Sequence, residues 1–300
     1  MNRRWFSIAT LAIALCVLLP DCAYADTRAP LKVLTSFSIL ADMVREVAGR
    51  DAVVQSIVGP DADAHVYEPS PADVARIAAA DVVIVNGLHF EGWLDRLVRA
   101  SGYRGRIVVA TRGISPRLLE GVPDPHAWQS LVLVDRYYVE NIRVALVAAM
   151  PDRAAAVNAR AVAYRARLRA LDRRIRARLG AIPQARRVVI TSHDAFGYFA
   201  DAYRIRFISP QGWSTEQEAS AETVARVVRQ IRRHGVRALF VENISDRRLI
   251  EQVARDGGVR IGGKLYSDAL SARGGPAETY LDLVDHNANG VIVALGLSGH

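Results

Sequence analysis

Short apolar runs alternate with longer amphipathic segments through both halves of this 300-residue chain. A run such as Val82–Val85 is apolar at every position, which is typical of a strand buried on both faces of a parallel sheet. Each half reads as strand and helix in alternation, four times over. The pattern therefore predicts an α/β protein of two similar lobes, each a four-stranded, mainly parallel sheet flanked by helices.

The segment between the two halves predicts one long helix, from Pro151, a favourable first helical residue, to Gly180. Its apolar residues recur at three- and four-residue steps and form one stripe: Val157, Ala161, Tyr164, Leu168, Leu171, Ile175 and Leu179. A helix of about 28 residues is about 42 Å long, which is more than a crossover within one lobe needs. A coiled-coil dimer would also use such a stripe, but we favour a stiff connector lying across both lobes.

The two halves also resemble each other in sequence, weakly but in the same order. Val33–Phe37 matches Val189–His193, and the tripeptide Val74–Arg76 recurs as Val224–Arg226. Chance similarity between Ala/Val-rich units is the alternative, and we favour an internal duplication. The predicted divisions are a signal peptide (1–25), an N-terminal lobe (26–150), the connector helix (151–180) and a C-terminal lobe (181–300).

The first residues have the features of an export signal. Arg3 and Arg4 precede the apolar run Phe6–Pro20, and Ala23–Ala25 has the small-x-small form of a cleavage site. The run is shorter than the ~20 residues of a membrane-spanning helix, although an N-terminal signal anchor is the alternative. We expect a periplasmic protein cleaved near Ala25.

Both cysteines of the chain, Cys16 and Cys22, fall inside this leader. The residues before them lack the small side chains of a lipid-anchor box, so we expect no lipid anchor. The mature chain would then have neither disulfides nor thiolate ligands.

The formal net charge of +8 could indicate a nucleic-acid partner. However, Lys32 and Lys264 are the only lysines, and the arginines are scattered along the predicted helices without a basic patch interleaved with aromatic residues. We interpret the charge as a solvated surface and expect no nucleic-acid binding.

Four residues that commonly bind metals follow predicted strands in turn-rich segments: His65, His126, His193 and Asp268. Two lie in each half, and each lies beyond the carboxyl end of a strand, where open α/β sheets bind ligands. Three imidazoles and one carboxylate would form a closed four-coordinate site, which suits zinc. A loop histidine taken singly is usually a solvated residue, so the prediction depends on the arrangement of two per half.

The other histidines do not fit this arrangement. His89 follows a strand but has no counterpart in the second half, and His234, His286 and His300 lie at a helix end, within a helix and at the chain end. Four carboxylates near the predicted site are candidate acceptors for imidazole N–H groups: Glu68, Asp124, Asp194 and Glu242.

An enzyme is a weaker alternative. Ser192, His193 and Asp194 are consecutive and cannot converge as a catalytic triad. A zinc hydrolase needs three ligands and an open position for water, whereas a fourth ligand closes the sphere, and the chain has no H-E-x-x-H motif. We therefore expect no enzymatic activity.

The chain resembles the metal-binding solute-binding proteins of zinc, manganese and iron ABC importers. The resemblance covers nearly the whole mature chain and is carried by the phrases TSFSILADMVREVAG, VGPDADAHVYEPSPADVARIAAADVVIVNGLHFEGWLDRL, DPHAW, ITSHDAFGYFADAY, ALFVENISD and LYSDAL. It implies two α/β lobes joined by one rigid helix, with metal ligands at His65, His126, His193 and Asp268. It also implies a monomer that delivers metal to a membrane permease with its cytoplasmic ATPase, with a periplasmic metallochaperone as a further candidate partner.

Two departures from the family pattern bear on which metal is bound. Many zinc members carry a long loop rich in His, Asp and Glu before the second ligand, whereas Ile114–Pro125 is short and has no histidine. Manganese and iron members often have Glu at the third ligand position, where this chain has His193, a softer and neutral ligand. The phrases SHDAFGYF and ISPQGWSTE are most similar to zinc-specific members. We expect Zn(II), with Mn(II) or iron carriage, or a metal-dependent adhesin, as the alternatives.

Overall fold

The computed structural model describes residues 29–119, 121–216, 218–234, 236 and 238–296. The predicted signal peptide with both cysteines, and His300, lie outside these residues. The first sheet consists of β1 (Leu31–Thr35), β2 (Ala52–Ser56), β3 (Val82–Val85) and β4 (Arg106–Val109). Its order is β2-β1-β3-β4, and all neighbouring strands are parallel. β3 is buried at every position, as its uniformly apolar sequence predicts.

The helices of the N-terminal lobe are α1 (Ser38–Ala48), α2 (Pro71–Ala78), α3 (Leu94–Ser101), α4 (Leu131–Leu133) and α5 (Val139–Ala149), with a π-helical turn at Val134–Tyr138. Ser70 and Asp73 form a capping box at the start of α2, where Pro71 occupies the first turn. A short antiparallel hairpin, β5 (Leu118–Leu119) and β6 (Val122–Pro123), follows β4. The sequence did not predict this hairpin.

The second sheet consists of β7 (Val188–Ile190), β8 (Arg206–Ile208), β9 (Ala238–Glu242) and β10 (Ile261–Leu265). Its strands are also parallel and lie in the order β8-β7-β9-β10, so the two sheets have the same topology strand by strand. The flanking helices are α7 (Gly197–Tyr203), α8 (Ala221–His234), α9 (Arg247–Gly257) and α10 (Tyr280–Ala294). The prediction of two similar four-stranded lobes is confirmed.

A single long helix, α6 (Ala154–Gly180), joins the lobes and is preceded by a 3₁₀ turn at Pro151–Arg153. The seven residues of the predicted apolar stripe are all buried, and the helix packs on α1, α5 and α10. The apolar stripe therefore packs against helices of the same chain, as expected for a connector. Among the described residues, no helix is both long enough and apolar enough to cross a membrane.

Ion pairs attach α6 to both lobes. Arg160 contacts Asp51 at 2.5 Å in the N-terminal lobe, and Arg174 contacts Asp285 at 2.8 Å in the C-terminal lobe. A large core cluster includes residues of both lobes together with the stripe of α6. The lobes therefore share one packed interior.

Candidate metal centre

Loops at the carboxyl ends of the strands bring four distant residues together. His65 follows β2, His126 follows the β5–β6 hairpin, His193 lies just after β7 and Asp268 just after β10. One ligand atom from each of these residues lies within 4.8 Å of all the others. Two of the residues come from each lobe, so the cluster occupies the cleft between the lobes. The structure thus brings together all four residues that the sequence singled out.

The imidazole Nε2 atoms converge on the Asp268 carboxylate. His65 Nε2 lies 3.1 Å and His193 Nε2 lies 3.2 Å from Asp268 Oδ2. His126 Nε2 lies 3.7 Å from Asp268 Oδ1 and 3.3 Å from His65 Nε2. Lone pairs on three nitrogens and one carboxylate therefore point into one small volume, as a metal ion requires.

The cluster is closed to solvent. His126, His193 and Asp268 are fully buried and His65 is 5% exposed. Asp268 Oδ1 is buried and has no hydrogen-bond partner among the described residues. A buried carboxylate oxygen without a partner is costly, and a bound cation would satisfy it. The donor set and the burial both fit a metal ion.

Two further carboxylates orient the imidazoles from behind. His126 Nδ1 lies 2.8 Å from Asp124 Oδ1, and His193 Nδ1 lies 2.6 Å from Glu242 Oε2. These carboxylates are themselves held in place, because Arg117 Nη1 donates to Asp124 and the backbone N–H groups of residues 192 and 193 donate to Glu242. Carboxylates in this position keep Nε2 free to bind metal and make it more basic.

These charges determine the protonation of the site. Burial disfavours the imidazolium of His126, but the Asp268 and Asp124 carboxylates outweigh burial and raise the pKa of His126 to about 9. Burial likewise opposes the charge on His193, and Glu242 and Asp268 still raise its pKa well above the usual value. For His65 burial prevails over Asp268 and lowers the pKa. Burial opposes ionisation of Asp268, yet His193 and His126 hold its pKa well below the usual value. A metal ion entering the site therefore displaces protons.

An aromatic shell surrounds the cluster. The ring of Phe90 lies 4.9 Å from that of His65, the ring of Trp128 lies 5.1 Å from that of His126, and the ring of Trp213 lies 6.1 Å from that of His65. Trp128 Nε1 also donates to the carbonyl of Ser267, next to Asp268 and in the other lobe. Sequence reasoning missed this shell, although Phe90 and Trp128 each stand within two residues of a histidine.

Not every candidate lies at the site. His89 is exposed and has a backbone φ of 63°, and His286 Nε2 lies 3.0 Å from the Lys264 carbonyl. Glu68 is exposed on the loop after His65. Of the four expected carboxylates, only Asp124 and Glu242 contact an imidazole among the described residues. Ser192, His193 and Asp194 form no triad, because both ring nitrogens of His193 face other carboxylates.

Comparison with known proteins relates this centre to metal transport. A family model described as ZnuA, zinc-uptake complex component A, periplasmic, matches residues 33–293. The chain is 34% identical to the iron-binding protein YfeA of Yersinia pestis, over 91% of this chain and 88% of that protein. It is 34% identical to the manganese-binding lipoprotein MntA of Halalkalibacterium halodurans, over 98% and 99% of the two chains.

The chain is also 35% identical to the zinc-binding protein TroA of Treponema pallidum, over 91% of each chain. The solved structure of the periplasmic zinc-binding protein TroA superposes with a TM-score of 0.85 at 31% identity, covering 90% of this chain and all of TroA. Sequence and fold therefore agree over almost the whole described chain.

These relatives indicate an extracytoplasmic component of a transport system rather than an enzyme. Such a component works with a membrane permease and an ATPase. The relatives' names include three metals, and MntA is a lipoprotein. The choice of metal and the mode of anchoring thus vary among similar proteins. From its fold, its metal centre and these comparisons, the chain belongs to the ZnuA family of metal-binding solute-binding proteins of ABC importers.

Proposed function

We propose that this protein captures one Zn(II) ion in the cleft between its lobes, through His65, His126, His193 and Asp268, and delivers it to the permease of an ABC importer. The convergence of three imidazole nitrogens and one carboxylate within 4.8 Å, all buried, is the observation that supports this most strongly. Four ligands of this kind fill a tetrahedral sphere, the preferred arrangement for zinc.

His193 is the residue that favours zinc over manganese. Once the metal has displaced its proton, this imidazole is a neutral ligand and softer than a carboxylate, whereas manganese prefers hard oxygen ligands. The outer carboxylates, Asp124 and Glu242, strengthen the two imidazoles that they contact. Iron- and manganese-binding relatives make carriage of those metals the alternative, and a metal-dependent adhesin of the same fold is a second alternative.

We further propose that the protein is a periplasmic monomer, with its signal peptide cleaved near Ala25 and without a lipid anchor. The proposed divisions are the N-terminal lobe (26–150), the connector (151–180) and the C-terminal lobe (181–300). A metallochaperone that loads the site is a further proposed partner. Metal-dependent binding to the importer's membrane subunits, rather than to a host surface protein, distinguishes carriage from adhesion.

The decisive experiment is the metal content of protein purified without added metal or chelator, followed by competition between Zn(II) and Mn(II). We expect one zinc ion per chain and a strong preference for zinc. A His193→Glu variant should shift the ratio of affinities toward manganese, because it adds a hard, charged oxygen donor. His89→Glu places the same substitution at an exposed histidine and should not change the ratio. Two tightly bound ions per chain, or a ratio indifferent to His193→Glu, would contradict the proposal.

A further inference from the structure

A polar bridge that does not include the four clustered residues crosses the cleft beside them. Asp61 lies in the loop between β2 and α2, four residues before His65, and both of its carboxylate oxygens accept hydrogen bonds from the C-terminal lobe. Asn243 Nδ2 donates to Asp61 Oδ1 at 3.0 Å, and the backbone N–H of Ala272 donates to Oδ2 at 2.9 Å. The N–H of Asp61 itself donates to the Leu270 carbonyl at 2.9 Å.

Asn243 continues the bridge to the loop that carries Asp268. Its side-chain oxygen accepts from the N–H of Ser267 at 3.3 Å, and its Nδ2 donates to the carbonyl of Ala269 at 3.2 Å. The two groups belong to the residues immediately before and after Asp268. A single asparagine thus connects the loop of His65 to the peptide groups on either side of Asp268.

The backbone of Asp61 indicates that these bonds hold the loop in place. Its φ is 52°, in the left-handed region that costs free energy for any residue other than glycine. Aspartate tolerates this conformation better than most residues, and here each oxygen of its exposed side chain accepts one hydrogen bond from the opposite lobe. If the bridge broke, the strained residue could relax and carry the His65 segment with it.

From this juxtaposition we infer that Asp61 and Asn243 form an inter-lobe latch that slows the release of the bound metal without touching it. The inference rests on the proposed metal site. The latch keeps the loops of His65 and Asp268 together while one metal bond is transiently broken, so that the ligand rebinds before the ion escapes. Its two members are positioning residues that act on the dissociation rate, while the four ligands set the coordination.

The test compares Asp61→Gly and Asn243→Ala in the full chain. Glycine accepts a positive φ without strain, so Asp61→Gly removes both side-chain hydrogen bonds and the backbone strain, and it leaves the bond from the backbone N–H of residue 61 to the Leu270 carbonyl available. We expect zinc dissociation, measured by stopped flow into excess chelator, to accelerate by about tenfold in each variant, as the loss of one or two net hydrogen bonds predicts. The Co(II) absorption spectrum should match that of the unmodified protein, because all four ligands remain.

The double variant tests most directly whether the two side chains act together. If the two side chains act as one latch, Asp61→Gly combined with Asn243→Ala should release zinc no more than about twofold faster than either single variant. Glu68→Ala is the matched control, since it removes the same charge from the same loop at an exposed position. It should leave the dissociation rate unchanged. Asp63 is less suitable, because it binds both Thr215 and the backbone of His65.

The proposed latch and the proposed metal site can be refuted separately. Dissociation from Asp61→Gly at the unmodified rate, or the same acceleration in Glu68→Ala, would overturn the latch. An altered Co(II) spectrum in the latch variants would show that they change coordination and would also overturn it. Unchanged zinc affinity in His65→Ala would instead refute the proposed site.

Discussion

Asp124→Asn is the substitution whose effect on metal binding follows most directly from the structure. Asp124 is buried and accepts hydrogen bonds from both the backbone N–H and the Nδ1 side of His126. Asparagine keeps an oxygen for these donors and removes the negative charge. Outer partners of metal-binding histidines contribute about 10- to 100-fold in affinity. Because the oxygen is retained, we expect zinc affinity to fall by the lower end of this range, about tenfold or ~1.4 kcal/mol.

That tenfold loss applies only where His126 is already neutral before metal binds. Burial lowers the pKa of His126, but Asp268 and Asp124 raise it to about 9. Below that pH a proton occupies the ligand nitrogen, so apparent affinity falls about tenfold for each pH unit per proton displaced. Removing the Asp124 charge lowers the pKa of His126, so protons compete with zinc for this nitrogen only at lower pH. The deficit of the variant should therefore be largest near pH 9 and should shrink toward pH 7.

The assay is chelator competition for Zn(II) at pH 7, 8 and 9 with three proteins. Asp201→Asn is the matched control, because Asp201 contacts the same Arg117 that holds Asp124, is 67% exposed, and touches no histidine among the described residues. Its apparent zinc affinity should stay within about twofold of that of the unmodified protein at every pH, as expected for an exposed ion pair. The reasoning would be refuted if the apparent zinc affinities of Asp124→Asn and the unmodified protein changed in parallel with pH. It would also be refuted if the loss of affinity in the variant grew as pH fell.

Three other predictions concern the ligands, the stability and the motion of the protein. His65→Ala should weaken zinc binding by more than about 100-fold, beyond the loss of an outer partner, whereas His89→Ala should leave zinc titrations unchanged. Burial raises the pKa of Asp42 to about 6, so the folded protein keeps a proton that the unfolded chain releases between about pH 4 and 6, and stability falls as pH rises through that window. Asp42→Asn should remove this decline and stabilise the protein at pH 7 by about 1–3 kcal/mol in urea denaturation. Metal release should increase hydrogen exchange in residues 59–69 and 114–126 with little change in the radius of gyration, because α6 can bend only by breaking backbone hydrogen bonds. A clear change in the radius of gyration without altered exchange in these two segments would contradict a rigid connector.

Sequence periodicity determined the elements of this fold, because it reports burial residue by residue. The apolar stripe of α6 and the uniformly apolar β3 could both be read directly from the chain, and both are buried as expected. The clustering of the four proposed ligands could also be predicted, since parallel strands end at one edge of a sheet and each of these residues follows a strand.

Only the tertiary structure decided what supports those residues. Trp128 reaches Ser267 across 139 residues, and Asn243 reaches Asp61 across 182. Glu242 was a candidate acceptor from the sequence, but only the structure shows that its partner is His193. No local pattern specifies such partners, because their meeting depends on how two lobes pack around one helix. Matching positions in the two lobes also differ in their surroundings, and the sequence match does not reveal this. Phe37 and His193 both follow the first strand of their lobe. One packs its ring against Phe90 and Trp128, and the other lies 3.2 Å from Asp268. The packing of the lobes placed one equivalent position behind the aromatic shell and the other in the proposed metal site.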